Sequence, residues 1–246
     1  MKYLFSDLDN TIVFNRNVDK KDLMAIRKFI NSENKLIIAT GRGYGEFEDA
    51  TQRYTLDFNY AILAGGTIVI NEKFDVIWYQ GLEFNTAKNI LEYITLQKVN
   101  LKELSLNYID STKVYEDVFF EMNDVLKNKN KIASISLRIN VEQKIKIKSI
   151  VQYIKSTFDV SVEQNGLYID ILPNNISKRT GIEFLVEYLN IIEEKYFVIG
   201  DAWNDACMFQ MTENSFTFTN SDNELKKMCS NVVNNFFECI ELIMQD

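Results

Sequence analysis

Two carboxylates one residue apart, Asp7 and Asp9, stand where the apolar run Tyr3-Leu4-Phe5 gives way to Asn10-Thr11. Successive strand side chains point to opposite faces, but a turn at the carboxyl end of a strand brings such a pair around one pocket. One carboxylate can then attack an electrophile while the other handles a proton, which is the chemistry of phosphoryl transfer. Asp and Asn also favour turns for their own sake, so the reading rests on three further segments. The run Lys35-Leu36-Ile37-Ile38-Ala39 ends in Thr40-Gly41-Arg42, where a hydroxyl and backbone N–H groups would cradle phosphate oxygens; the plainer role for Thr40 is a helix N-cap. Ser177-Lys178 opens a segment with Ile182, Leu185, Val186 and Leu189 at helical spacing, and Lys178 supplies a cation against crowded negative charge. In Phe197-Val198-Ile199-Gly200-Asp201-Ala202-Trp203-Asn204-Asp205, a buried-type strand leads to two acids four residues apart. With Asp7 these form a hard oxygen site suited to magnesium, or they cap the helix that follows.

Elements of particular kinds must hold these residues. Runs such as Leu36-Ile37-Ile38-Ala39 and Ala61-Ile62-Leu63 are continuously apolar, as parallel strands covered on both faces are. They alternate with helical segments, one running from Asp19 to Ile30 behind an Asp19-x-x-Asp22 arrangement similar to a capping box, another from Tyr44 to Tyr54. Val69 to Tyr79, turning around Asn71-Glu72-Lys73, reads as a hairpin. The expectation is an α/β, Rossmann-like doubly wound parallel sheet in residues 1–81 and 173–246. Between them, residues 82–172 change texture. Ala133, Ile135, Leu137 and Ile139 alternate with Ser134, Ser136 and Arg138, and Leu167, Ile169 and Ile171 alternate with Tyr168 and Asp170. Helical stripes Ala87, Ile90, Leu91, Ile94 and Ile147, Ile150, Val151, Ile154 would cover one face of that sheet and leave the other polar or open. This predicts an inserted α+β cap. Lys144, Lys146 and Lys148 fall on a solvated helix side.

The order DxDxT, Thr, Lys, GDxxND resembles the haloacid dehalogenase superfamily of phosphohydrolases, Cof-like branch, across essentially the whole chain. The resemblance implies that Asp7 is a nucleophile forming an aspartyl-phosphate. Asp9 would be the acid/base, and Thr40 and Lys178 would bind the phosphoryl group together with Gly41, Arg42 and Asn204. Magnesium would be held by Asp7, the Asp9 backbone carbonyl and Asp201, with Asp205 and Asn204 in support. Asn10 stands where many relatives have Gly, a turn conformation Asn tolerates. Ala64-Gly65-Gly66 replaces an Asn-Gly common in the branch. Trp203, bulky for such a loop, either packs against the sheet or lines the substrate entrance. In the cap, Arg138, Tyr168 and Asp170 are candidates for reading the leaving group.

Absences narrow the chemistry. There is no histidine in 246 residues, which removes Ser-His triads, histidine phosphatases and His-ligated zinc. None of Cys207, Cys229 and Cys239 is followed by Arg six residues later, so the cysteine-phosphatase loop is absent, and reduced thiols are expected. Gly41-Arg42-Gly43-Tyr44-Gly45 lacks the glycine of a dinucleotide fingerprint because position 46 is Glu. Net charge is −8, which argues against a nucleic-acid partner, and Arg42 and Lys178 must supply the local attraction for phosphate. The first apolar run is interrupted by Asp7, which leaves neither a signal peptide nor a membrane span, so the expected location is cytoplasmic. The expected function is a magnesium-dependent phosphatase of small phosphorylated metabolites, sugar phosphates first, acting as a monomer or homodimer. A phosphomutase and a non-catalytic phospho-ligand binding module are the alternatives.

Overall fold

The computed structural model describes residues 1–97, 99, 101–116 and 131–245. In chain order its strands are β1 (Tyr3–Ser6), β2 (Val13–Phe14), β3 (Asn17–Val18), β4 (Lys35–Ala39), β5 (Tyr60–Leu63), β6 (Ile68–Asn71), β7 (Val76–Tyr79), β8 (Leu101–Tyr108), β9 (Ser111–Glu116), β10 (Ile132–Ile139), β11 (Val160–Asn165), β12 (Tyr168–Pro173), β13 (Tyr196–Ile199), β14 (Ser215–Phe218) and β15 (Asn231–Val233). The helices are α1 (Lys20–Asn31), α2 (Tyr44–Tyr54), α3 (Phe84–Leu96), α4 (Ile147–Thr157), α5 (Lys178–Tyr188), α6 (Ala206–Phe209), α7 (Asn223–Lys226) and α8 (Phe236–Gln245).

An eight-stranded sheet runs in the order β15-β14-β13-β1-β4-β5-β6-β7, parallel from β15 to β5 and antiparallel at β6 and β7. Both of its faces are covered, which is why its strands read as unbroken apolar runs. Leu4, Leu36 and Ile38 pack with Ile26, Phe29, Phe47 and Phe236 from α1, α2 and α8. Phe5, Ile37 and Ala39 pack on the opposite side with Ile182 and Leu185 of α5 and Met208 of α6. The fold is α/β, and β1 sits between β4 and β13, so the crevice of an open sheet falls at the carboxyl ends of β4, β1 and β13.

Asp19 caps α1 by accepting the Lys21 N–H at 2.7 Å. Asp22 does not complete a capping box. Its buried carboxylate instead accepts the Phe237 N–H at 2.9 Å, capping α8 from a partner 215 residues away. Local spacing carries no signal for such a tertiary cap. The β6–β7 turn is held by Asn71 Oδ1, which accepts the N–H groups of Lys73 and Asp75 at 2.9 and 3.0 Å.

Between β7 and α5 the chain builds an antiparallel sheet in the order β11-β12-β10-β8-β9, ending at Pro173. Its apolar face, with Leu104, Leu106, Ile135, Leu137, Ile169 and Ile171, lies under α3 and α4. Its polar face is partly covered. Ser105, Asn107 and Ser134 are only 3%, 0% and 1% exposed, because this face lies over the carboxyl edge of the larger sheet. Asn107 Nδ2 donates to Ser134 Oγ at 2.9 Å, Thr112 Oγ1 donates to Asn107 Oδ1 at 3.3 Å, and the Gly45 N–H of α2 donates to Thr112 Oγ1 at 3.3 Å. Among the described residues no helix is long and apolar enough to cross a membrane.

Candidate active site

Asp7 follows β1 directly, and its N–H donates to Ile199 O at 3.0 Å, which ties it to β13. The chain then turns tightly, with the N–H groups of Ile12 and Val13 both donating to Leu8 O at 2.9 and 2.8 Å. Asn10 takes the left-handed conformation (φ 62°), one that Asn adopts at little cost. This turn sets Asp9 beside Asp7 at the same sheet edge. Lys178, at the start of α5, is buried and donates to Asp7 Oδ1 at 2.5 Å and to Asp205 Oδ1 at 2.7 Å. The other oxygen of Asp205 accepts the N–H groups of Asp201 and Ala202 at 3.0 and 3.1 Å. Asp205 thereby both shapes its own loop and holds Lys178. Gly200 allows this, since a Cβ there would lie 2.5 Å from the Asp205 side chain.

Thr40 does not cap α2; Gly43 is the N-cap. Thr40 Oγ1 accepts the Arg42 N–H at 3.1 Å, and the loop is braced by Gly65 N–H to Thr40 O at 3.1 Å and Ala64 N–H to Arg42 O at 2.7 Å. Ala64-Gly65-Gly66 is therefore the buttress of this loop, and Gly66 abuts the start of α5: a Cβ there would lie 2.0 Å from Ser177 O. The Arg42 guanidinium forms a two-pronged pair with Asp9, at 2.8 and 2.6 Å. Neither cation expected to draw in phosphate is free: Arg42 is taken by Asp9, and Lys178 by Asp7 and Asp205.

A cavity of 610 Å³ lies between the two sheets. Its floor is lined by Asp7, Asp9, Thr40, Gly41, Arg42, Asp201 and Asn204, and its roof by Glu103, Ser105, Ser136, Arg138, Asn165, Tyr168 and Asp170. Strand register explains the roof. Asp170 pairs with Glu163 and Ser136, and Ser136 with Ser105; one step on, Tyr168 pairs with Asn165 and Arg138, and Arg138 with Glu103. Arg138 sits 5.2 Å from the Tyr168 ring centroid, in a cation–π contact. Ser136 Oγ donates to Asp170 Oδ1 at 2.5 Å. Arg138, Tyr168 and Asp170 thus meet over the floor residues. Sequence reasoning missed Glu103 and Ser105, although Leu104, Leu106 and Tyr108 alternate with them; the register shift between Arg138 and Ile139 against β8 obscures that pattern at Leu101. It also missed Glu46, Asp49, Arg16 and Arg53 around the cavity. Trp203 neither packs against the sheet nor lines the cavity, being 54% exposed.

Seven carboxylates and four arginines line this space. Burial raises the Asp7 carboxyl, with Lys178 pulling the other way, and it pushes Asp201 up to about 6, helped by Asp205. The Lys178 ammonium, in spite of its burial, is held protonated by Asp205 and Asp7. Burial also raises Asp170, against its Ser136 hydrogen bond, and takes Glu163 to about 7. One carboxylate oxygen each from Asp7, Asp201 and Asp205 lie within 4.8 Å of one another. Asn204 Oδ1 is buried without a hydrogen-bond partner. Crowded hard oxygens and an orphaned amide oxygen fit a divalent cation.

The haloacid dehalogenase-like hydrolase family matches this chain over residues 4–236. The chain belongs to that family. Phosphoglycolate phosphatase 1 of Saccharolobus solfataricus is 22% identical over 238 residues, covering 96% of this chain and 90% of its own. The fold is shared with a Plasmodium vivax protein studied as a HAD/COF-like hydrolase, at a TM-score of 0.84 and 17% identity over 100% of this chain and 96% of that one. It is shared too with the HAD subclass IIB sugar phosphatase BT4131, at a TM-score of 0.76 and 16% identity over 100% and 98%. This chain is a haloacid dehalogenase-like hydrolase.

Proposed function

We propose that the enzyme hydrolyses small phosphorylated metabolites, sugar phosphates first, through an aspartyl-phosphate on Asp7 with magnesium as cofactor. The observation that carries this reading is the state of Asp7: one oxygen is fixed by the buried Lys178 ammonium at 2.5 Å, and the residue lines the cavity. A carboxylate so oriented presents its second oxygen as the nucleophile. Asp7 Oδ2 attacks phosphorus as the bond to the leaving oxygen breaks, and Asp9 donates a proton to that oxygen. Water then attacks the aspartyl-phosphate, its proton passes to Asp9, and inorganic phosphate leaves with Asp7 restored.

Arg42 links the two halves. Paired with Asp9, it fixes the orientation of the carboxylate that is to accept a proton from water. When a substrate's phosphoryl oxygens take over the guanidinium fork, Asp9 is released to carry a proton. Thr40 Oγ1, the Gly41 backbone and Asn204 hold the remaining phosphoryl oxygens, and Lys178 offsets charge at Asp7. Magnesium, held by Asp7, the Asp9 carbonyl and Asp201 with Asp205 and Asn204 in support, supplies when bound the positive charge that seven lining carboxylates otherwise deny a phosphate dianion. The hydroxyl and carboxylate roof of Ser105, Ser136, Asp170 and Glu103 suits a leaving group rich in hydroxyls. We propose a cytoplasmic location for the enzyme; no described helix is long and apolar enough to cross a membrane.

Phosphate release from sugar phosphates, nucleotides, pyridoxal phosphate and p-nitrophenyl phosphate, with magnesium and with EDTA, tests this. Release that needs magnesium and disappears in Asp7→Asn is expected. Silence across the panel, or an isomerised phosphate ester in place of free phosphate, would overturn it.

A further inference from the structure

The cations lining the cavity differ in whether they are already committed. Arg42 is paired with Asp9, and Lys178 below the floor with Asp7 and Asp205. Arg138, in the roof, has no ion pair among the described residues, although register sets Glu103 directly across from it on β8. Its Nε is buried without a hydrogen-bond partner, and its guanidinium is held against the Tyr168 ring at 5.2 Å. Arg138 is half-buried, and a guanidinium nitrogen buried without a partner is costly to maintain unless an anion arrives to meet it; a planar fork braced on a ring is arranged for a carboxylate or phosphate.

We propose that Arg138 is the specificity-determining residue for a second anionic group on the substrate, so that the preferred leaving groups are hydroxylated carbon chains ending in a carboxylate or another phosphate. This rests on the reading of Asp7 as the floor of the site and deepens it. With the transferred phosphoryl group at Asp7, the leaving group extends toward the roof, past Ser105, Ser136 and Asp170, and its far end meets Arg138. Phosphorylated sugar acids and sugar bisphosphates have this chemistry; plain sugar monophosphates lack its last contact. Arg16 and Arg53 line the same cavity but are exposed, and water satisfies them without a ligand.

Two matched pairs separate the sources of the second anion: 3-phosphoglycerate against glycerol 3-phosphate, and fructose 1,6-bisphosphate against fructose 6-phosphate. Each is measured as kcat/KM on the native chain and as Kd on full-length Asp7→Asn. The acidic member of at least one pair should be preferred by about 10- to 100-fold, the range of a charge-assisted contact. That ratio should fall to near one in Arg138→Gln and lie between in Arg138→Lys, which keeps the charge but not the fork. Equal loss for both members of a pair would overturn the inference by showing that Arg138 reads the transferred phosphoryl group itself. A preference that survives in Arg138→Gln, or no preference in a folded native chain, would overturn it as well. Preferential binding without turnover of any ester would retain it and defeat the phosphatase reading; turnover without preference would do the reverse.

Discussion

Lys178→Met is the sharpest single perturbation, because one buried ammonium holds two carboxylates of the site. It donates at 2.5 Å to Asp7 and at 2.7 Å to Asp205, with side-chain exposures of 1%, 7% and 0% for the three groups. Methionine matches the volume of the stem, so packing changes little. What is lost is a pair of charged hydrogen bonds in a place water does not reach. Removing one partner of a buried ion pair costs about 3–5 kcal/mol. Asp205 retains two backbone donors, which softens the loss on its side, so a value near 3–4 kcal/mol at pH 7 is the expectation. The pH dependence follows from the orphaned acids. Without Lys178, nothing offsets the burial that raises the Asp7 carboxyl, so the variant regains stability as the pH falls and loses it as the pH rises. Urea unfolding at pH 7 and pH 5 measures both effects, and the deficit should be smaller at pH 5. Pairing Lys178→Met with Asp205→Asn in a double-mutant cycle should reveal a coupling of at least about 1 kcal/mol. A deficit under about 1 kcal/mol at pH 7, or one independent of pH, would refute the buried triad.

Arg42→Leu should cost little stability, about 0–1 kcal/mol, since the Arg42 and Asp9 side chains are 25% and 48% exposed. It should still lower kcat/KM by about a hundredfold or more through the loss of a phosphoryl contact, and steady-state kinetics beside a melting curve distinguishes the two effects. Magnesium should stabilise the substrate-free enzyme by mass action, by about 2.7 kcal/mol at a hundred times Kd, and so raise its melting temperature. Asp201→Asn should then need at least about tenfold more magnesium for the same rise, and an identical titration would remove Asp201 from the metal site. Asp22 offers a pH test away from the site. Burial lifts its carboxyl from 3.8 to about 6, against its Phe237 hydrogen bond, so its contribution to stability is full below pH 3.8 and lost as the pH rises through about 6. Asp22→Asn keeps an acceptor for Phe237 and avoids the buried charge. It should match the parent at pH 3.5 and exceed it at pH 7.5 by at most about 3 kcal/mol; a difference that does not change with pH would contradict this.

The floor of the site was legible because each of its residues follows an apolar run: Asp7 after β1, Thr40 after β4, Asp201 after β13, with Lys178 at the head of an amphipathic helix. In an open parallel sheet, such positions converge at one edge. The α/β core was legible for the same reason, since strands buried on both faces cannot conceal their composition. What lay across space was not. That Arg42 reaches Asp9, and that Asp22 caps α8, depends on contacts 33 and 215 residues apart, for which one sequence has no period. Alternation in β10 and β12 identified a polar face with Arg138, Tyr168 and Asp170 on it. It could not tell that this face lies over the core with a cavity between them, because alternation reports two different sides and not what each side meets. Neither expectation for Trp203 held: a large aromatic is ordinarily buried, whereas here its side chain is exposed beside the buried Asp205.

The central claim is a covalent phosphate on Asp7, and the most direct measurement is an acid quench of Asp9→Asn during turnover of a phosphorus-labelled substrate, followed by peptide mass spectrometry. Replacing Asp9 removes the acid of the first step and the base of the second, so with p-nitrophenyl phosphate, whose leaving group departs without protonation, the phosphoenzyme should accumulate. The account predicts label on the Asp7 carboxylate and none in Asp7→Asn. Substrate turnover without any protein-bound phosphate, or label on another residue, would contradict it.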